Sequence, residues 1–224
     1  GIGPIAQCLN INRGDRMDHL SSLSTGDFSL ADLAKEKAKE DAIWKPFEAK
    51  SFRGNMNTTI IRSVKGKTMM IQHDVSTPRP YSRIHLLSGT KGMAQKWPSP
   101  QRIAFGHSWV NKEEFAKLEE KYTPPIVKHI GAIAKEVGGH GGMDFIMDWR
   151  LIDCLRNGLP LDQNVYDAAA WSSIVPLSER SVKKRGSSVD VPDFTRGAWA
   201  TNQPVSLSLE GGANTGVRTL PKQS

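Results

Sequence analysis

The chain has 224 residues, 38% hydrophobic and 24% charged, with a formal net charge of +7. That size and balance suit a globular protein of one large domain or two small ones. No apolar run is long enough to span a bilayer. The opening Gly1-Ile2-Gly3-Pro4-Ile5-Ala6 lacks the basic and long apolar regions of a signal peptide. The positive charge is dispersed: its densest cluster is Lys183-Lys184-Arg185, and no basic repeat is interleaved with aromatics, so nucleic acid is not an expected partner. Cys8 and Cys154 sit among apolar residues without metal-type spacing. They read as two buried thiols, with a disulfide between them as the alternative, and no metal site is expected.

In chain order, Pro4 to Leu9 is a short apolar segment with proline placed early, as helix starts tolerate. Asn12-Arg13-Gly14-Asp15 is a turn signal, and Met17, His19 and Ser21 alternate weakly with their neighbours as in a strand. Residues 26–50 read as an inserted helix, with Leu30, Leu33, Ala34 and Ala38 at helical spacing. Ser29 is its expected N-cap, and Asp32 three residues later approximates a capping box. Asn57–Val64 and Thr68–Val75, around Lys65-Gly66-Lys67, form a hairpin pattern. Tyr81–Leu87 is expected as a further strand after a proline-rich corner, with short strands in Gly89–Trp97 and Arg102–Phe105.

The rest is helical. Asn111 caps a helix through Lys121, with Glu113 and Glu114 in its favourable first turn. Pro124-Pro125 breaks it, and a second helix runs to Val137. Gly138 to Gly142 interrupts again. Met143–Asn157 carries Phe145, Ile146, Trp149, Ile152 and Leu155 at helical spacing and is closed by Gly158 and Pro160. Val165–Lys183 is the last helix. The β-rich then α-rich order, without βαβ alternation, predicts an α+β fold with an open, mainly antiparallel sheet backed by helices. Residues 1–200 are expected to form that domain and 201–224 a loosely held tail. No Gly-x-Gly-x-x-Gly follows a strand and no phosphate loop is present, so no cofactor-binding residue is identified.

Two segments suggest chemistry. The corner His73 to Arg83 gathers His, Asp, two Arg and Tyr between two predicted strands, and strand-end loops commonly carry binding groups. A tyrosine offers an apolar face and a polar tip to a sugar ring. The plain alternative is a proline-stiffened corner with ordinary surface polar groups. The second is Gly138-Gly139-His140-Gly141-Gly142-Met143-Asp144, where glycines let the backbone approach a ligand or simply make a tight turn between helices. His140 and Asp144 stand four apart, too few for a metal site. No carboxylate pair for ordinary glycoside hydrolysis can be picked from the 23 acids.

Pro4 to Asp15, the corner Gln72 to Arg83, Gly139 to Asn157, Asp162 to Leu177 and Val191-Pro-Asp-Phe-Thr-Arg-Gly-Ala-Trp199 closely resemble glycoside hydrolase family 109. The resemblance covers nearly the whole chain. It implies an NAD-dependent α-N-acetylgalactosaminidase of the glucose–fructose oxidoreductase superfamily, with a Rossmann domain preceding an α+β domain. The implied reaction removes hydride from sugar C3 to NAD⁺, eliminates the aglycone after loss of the C2 proton, adds water and returns the hydride.

By the same resemblance, Tyr81 matches the tyrosine of a Pro-Arg-Pro-Tyr-Ser-Arg motif and contacts substrate. His140 is placed beside the site by its motif, without a role. The family's Tyr-Pro-Thr-His element would fall immediately before Gly1. The non-Met start and that missing element lead to the expectation of a C-terminal portion, inactive alone, whose NAD is bound mainly elsewhere and whose catalytic residues lie upstream of Gly1. The expected partners are a carbohydrate substrate and a second copy through the sheet. The alternatives are the C-terminal domain of an NAD(P)-dependent sugar oxidoreductase, or a non-catalytic remnant that binds or dimerises. A periplasmic or secreted location is open by the same resemblance.

Overall fold

The computed structural model describes residues 1–74 and 76–215. Val75, at the end of an expected strand, and 216–224, in the expected tail, lie outside them. The elements are α1 (Ile2–Cys8), β1 (Met17–Ser24), α2 (Ser29–Glu40), β2 (Met56–Ser63), β3 (Thr68–Asp74), β4 (Leu86–Ser88), β5 (Gly92–Gln95), β6 (Arg102–Phe105), β7 (Ser108–Trp109), α3 (Lys112–Tyr122), α4 (Pro125–Val137), α5 (Met143–Asn157), α6 (Val165–Lys183), β8 (Val189–Asp190), β9 (Leu207–Ser208) and β10 (Gly212–Ala213). Short 3₁₀ turns fall at Ala42–Phe47, His140–Gly142 and Ala198–Ala200. The fold is α+β with antiparallel sheets, as the element order predicts. The described chain divides into two compact units.

The first unit comprises Ile2–Tyr81 and Tyr166–Asn202. Its sheet has the order β3-β2-β1-β8. Alternation along β2 turns Thr59, Ile61 and Ser63 inward and leaves Ile60 and Arg62 exposed. The inward face packs with α1 and α6 around Ala6, Leu20, Ile61, Met69, Ile174 and Leu177. One face of an antiparallel sheet is thereby buried and the other left to solvent. Polar residues close the inner layer: Ser22 and Thr59 hydroxyls bond at 2.8 Å, and the Ser181 hydroxyl accepts from Ser22 N–H at 2.8 Å while donating to the Ser187 carbonyl at 2.7 Å.

The turn Asn12–Asp15 carries more than a change of direction. Arg13 and Asp167 form a bidentate ion pair, Nη1–Oδ1 at 2.8 Å and Nη2–Oδ2 at 2.6 Å. Asp15, fully buried, accepts from Ser63 Oγ at 2.8 Å, Arg16 N–H at 2.9 Å and Lys65 N–H at 3.1 Å, with Lys67 Nζ at 3.3 Å. The loop is thus fastened to α6 by one charge pair and to the β2–β3 hairpin by another carboxylate.

The second unit comprises residue 1, Ser82–Val165 and the chain from Gln203. It holds the sheet β4-β5-β6-β7, the hairpin β9–β10 and helices α3 to α5. Asn111 caps α3 by accepting from Glu114 N–H at 2.9 Å, as expected. Gly158 closes α5 in the left-handed conformation, φ 64°, with its N–H on the Cys154 carbonyl. Arg150 is buried and bonds Asp162 at 3.1 Å and the Ser208 carbonyl at 2.8 Å. The bond to Asp162 raises its pKa further.

Several expectations are corrected. Tyr81–Leu87 is not a strand; only Leu86–Ser88 pairs regularly, with Met93–Gln95 of β5. Lys96 N–H still reaches the His85 carbonyl at 2.9 Å, but the next positions of that chain include Pro98 and Pro100, which carry no N–H to continue a ladder. The expected capping box is absent: Ser29 opens α2 without a side-chain bond from its neighbour. Both cysteines are free thiols; Cys154 is buried, and burial pushes its thiol up, but Cys8 is exposed.

Candidate functional site

The two segments singled out in the sequence fall in different units. Tyr81 belongs to the first and His140 to the second.

The Tyr81 corner leaves the end of β3. Asp74 closes it as an Asx-type clamp: Oδ1 accepts from the Ser76 and Thr77 N–H groups, each at 3.1 Å, and Oδ2 from the Thr77 hydroxyl. Arg79 Nε adds a charge contact to Oδ2 at 3.3 Å, and Arg79 N–H donates to the Thr77 carbonyl at 2.9 Å. The Thr77 hydroxyl and N–H hold the Asp74 carboxyl below its usual range against the opposing effect of burial, aided by Ser76 N–H and Arg79. Pro78 and Pro80 then fix two of the next backbone φ angles. Tyr81 follows and is 67% exposed. A rigid platform therefore presents an amphipathic ring outward, which suits stacking on the apolar face of a sugar.

Beneath the corner lies a residue that the sequence did not single out. Asn55 is 3% exposed. Its Oδ1 accepts from Phe28 N–H at 2.7 Å and Ser29 N–H at 3.2 Å, and its Nδ2 donates to Ser76 Oγ at 2.8 Å. No linear signal could have found it: its partners are distant in sequence, and Arg53-Gly54-Asn55 reads only as loop.

The second candidate is the turn between α4 and α5. Gly138, Gly139, His140, Gly141 and Gly142 all have positive φ. Gly142 is the position where a side chain is excluded. Its φ is 95°, and an added Cβ would meet the Ala134 backbone carbonyl at 2.7 Å. His140 Nδ1 and Asp144 Oδ2 lie 2.8 Å apart, both well exposed. Asp144 also sits in the first turn of α5, where the helix dipole favours a carboxylate. Beside it an open groove of about 400 Å³ is lined by Val137, Gly139, Asp144, Asp148, Trp149 and Ile152 among others. His129 packs against Trp149 with ring centroids 5.9 Å apart in a T-shaped arrangement. The groove offers the Trp149 indole and two carboxylate acceptors, a combination able to hold a polyol with an apolar face.

Neither place forms a dinucleotide cradle. Such a cradle needs a glycine loop between a parallel strand and a helix N-terminus. The named strands here pair antiparallel, and the glycine turn leaves a helix, with Gly142 occupied by its packing on Ala134. Among the described residues no group of three or more His, Cys, Asp or Glu comes together to hold a metal ion, and no helix is long and apolar enough to cross a membrane.

Comparison with known proteins accounts for most of this chain. Residues 1–201 match the family description Glycosyl hydrolase 109, C-terminal domain. Curated relatives include a glycosyl hydrolase family 109 protein 2 of Shewanella sp. strain ANA-3, 47% identical over 212 residues. Glycosyl hydrolase family 109 proteins of Shewanella amazonensis and Shewanella putrefaciens are each 47% identical, over 214 and 213 residues. These alignments cover 92% of this chain and 46% of each relative, so the chain spans about half their length. The chain belongs to glycosyl hydrolase family 109 and corresponds to its C-terminal domain.

Proposed function

We propose that this chain is the sugar-facing part of an NAD-dependent glycosidase acting on terminal α-N-acetylgalactosaminides, with Tyr81 as a substrate contact. The observation that carries the reading is the Asp74 clamp. In a chain of this family, it fixes an exposed tyrosine on a proline-braced corner, which gives a sugar a pre-formed platform. On this reading the dinucleotide is held mainly by another part of the protein, as the family resemblance implies. The chain's own contribution is to bind and orient the sugar.

The test compares the full-length enzyme with this chain alone, using an aryl N-acetyl-α-galactosaminide and NAD⁺. Full-length protein is expected to release the aryl group without net gain of nicotinamide absorbance, and the chain alone to release none. Robust turnover by the isolated chain would overturn the division of labour. Net reduction of NAD⁺ would point instead to a sugar oxidoreductase.

We further propose that the uncovered face of the first unit's sheet binds a second copy. Ile60 and Met70 are cross-strand partners and both exposed, with Leu23 exposed on β1. Apolar pairs of this kind are self-complementary about a twofold axis. Ile60→Lys with Met70→Lys is expected to shift the protein to monomer in sedimentation velocity while leaving its helical circular dichroism intact. An unchanged sedimentation coefficient would rule this face out.

A further inference from the structure

We infer that Asn55 is a positioning residue for the Tyr81 corner, tethering the corner's first hydroxyl to the N-terminus of α2; the functional part of this rests on Tyr81 being a substrate contact. The side chain is used on both sides. Its carbonyl oxygen satisfies two N–H groups at the start of α2, Phe28 at 2.7 Å and Ser29 at 3.2 Å, which no neighbouring cap serves. Its amide nitrogen holds Ser76 Oγ at 2.8 Å. Ser76 N–H is in turn one of the donors gathered by Asp74, whose other oxygen meets Arg79. The chain of contacts therefore runs from α2 through Asn55, Ser76 and Asp74 to the residues that precede Tyr81. A buried amide that loses one partner leaves the other polar group unpaired, so both ends of the tether move together.

A purely structural role for Asn55 would act through the stability of α2, and Asp27 separates the two cases. Its Oδ1 accepts from Ala31 N–H at 3.1 Å and its Oδ2 from Phe52 N–H at 2.6 Å, so it steadies the same helix end by bonds that do not include Ser76.

The experiment labels the three tyrosines, Tyr81, Tyr122 and Tyr166, with 3-fluorotyrosine and assigns each fluorine resonance by Tyr→Phe substitution. Asn55→Ala and Ser76→Ala are expected to displace the Tyr81 resonance. Asn55→Asp is expected to restore it, because a carboxylate still accepts both helix N–H groups and the Ser76 hydroxyl can donate to it. Asp27→Ala is expected to leave it in place. In the full-length enzyme, Asn55→Ala is expected to raise KM for the glycoside about fivefold, the order of one lost hydrogen bond, with kcat changed less. A Tyr81 resonance unmoved by both Asn55→Ala and Ser76→Ala would overturn the tether. So would an Asp27→Ala variant that displaces it as far as Asn55→Ala does. If the resonance responds as expected but Tyr81→Phe and Tyr81→Ala leave KM unchanged, the substrate reading fails and the tether stands.

Discussion

Asp167→Ala is expected to destabilise the protein by about 3–5 kcal/mol, the usual cost of breaking a buried charge pair from one side. For a chain of this size that corresponds to a fall in Tm of roughly 6–20 °C. Arg13 is 6% exposed and Asp167 1%, and two near-parallel bonds of 2.8 and 2.6 Å join them. Asn12 Nδ2 adds a third bond to the same carboxylate at 3.2 Å. Removing the carboxylate leaves the buried guanidinium with a long 3.4 Å contact to the Ile11 carbonyl and takes one acceptor from the Asn12 amide. The double replacement Arg13→Leu with Asp167→Leu removes both charges and is expected to recover part of the loss, since apolar residues tolerate such a site better than one stranded ion. Urea unfolding of the three variants measures both effects. An Asp167→Ala protein within 1 kcal/mol of the parent, on the scale of an exposed ion pair, would show that this contact is not sealed from water.

The contrast between what the residues announced and what they concealed follows from the range of each interaction. The α5 and α6 boundaries coincide with Met143–Asn157 and Val165–Lys183, because apolar spacing, Gly158 and Pro160 are local instructions. The Asn111 cap is local too, with its partner three residues away. Tyr81–Leu87 failed as a strand because a strand requires a partner, and regular pairing with β5 reaches only from Leu86 to Ser88. Ser29 failed as a cap because the N–H groups at that helix end are served by Asp27, which accepts from Ala31 N–H, and by Asn55, 26 residues from Ser29. The Asn12–Asp15 turn was legible, with Asn12 and Gly14 at positive φ, but the burial of Arg13 against a partner 154 residues on was not.

The site divides in the same way. The Asp74 clamp is built from bonds two and three residues long, and its composition drew attention to the corner. The His140–Asp144 contact follows from four-residue spacing, since the glycine turn runs directly into α5. The expectation of a substrate contact at Tyr81 came from resemblance and not from spacing, and the resemblance gave His140 no role. Residues that hold a platform are local, whereas the Asn55 tether beneath it depends on the tertiary fold.

Asp15→Asn is expected to cost about 1.5–3 kcal/mol at neutral pH, the range for hydrogen bonds to a charged group, and the difference should close as the solution is acidified. Burial alone would raise the Asp15 carboxyl, but donors at Ser63, the Lys65 and Arg16 N–H groups and Lys67 outweigh it and hold the pKa below 3.8. A folded value below the unfolded one means that the stabilisation is fully present above the unfolded pKa and is lost as pH falls through the folded value. The asparagine keeps the carbonyl that serves the two backbone N–H groups. It turns an amide toward Lys67, 3.3 Å from the oxygen it replaces, and it cannot titrate. The parent should therefore exceed the variant in unfolding free energy at pH 7 and approach it as the pH falls through the lowered pKa of the Asp15 carboxyl, where that group becomes protonated. Asp74 and Asp193 are also held low and will make both proteins acid-sensitive, so the difference between parent and variant is the quantity that isolates Asp15. A gap that stays constant through acidification until the carboxyl is protonated would mean that Asp15 stabilises the hairpin by shape alone and not by its charge.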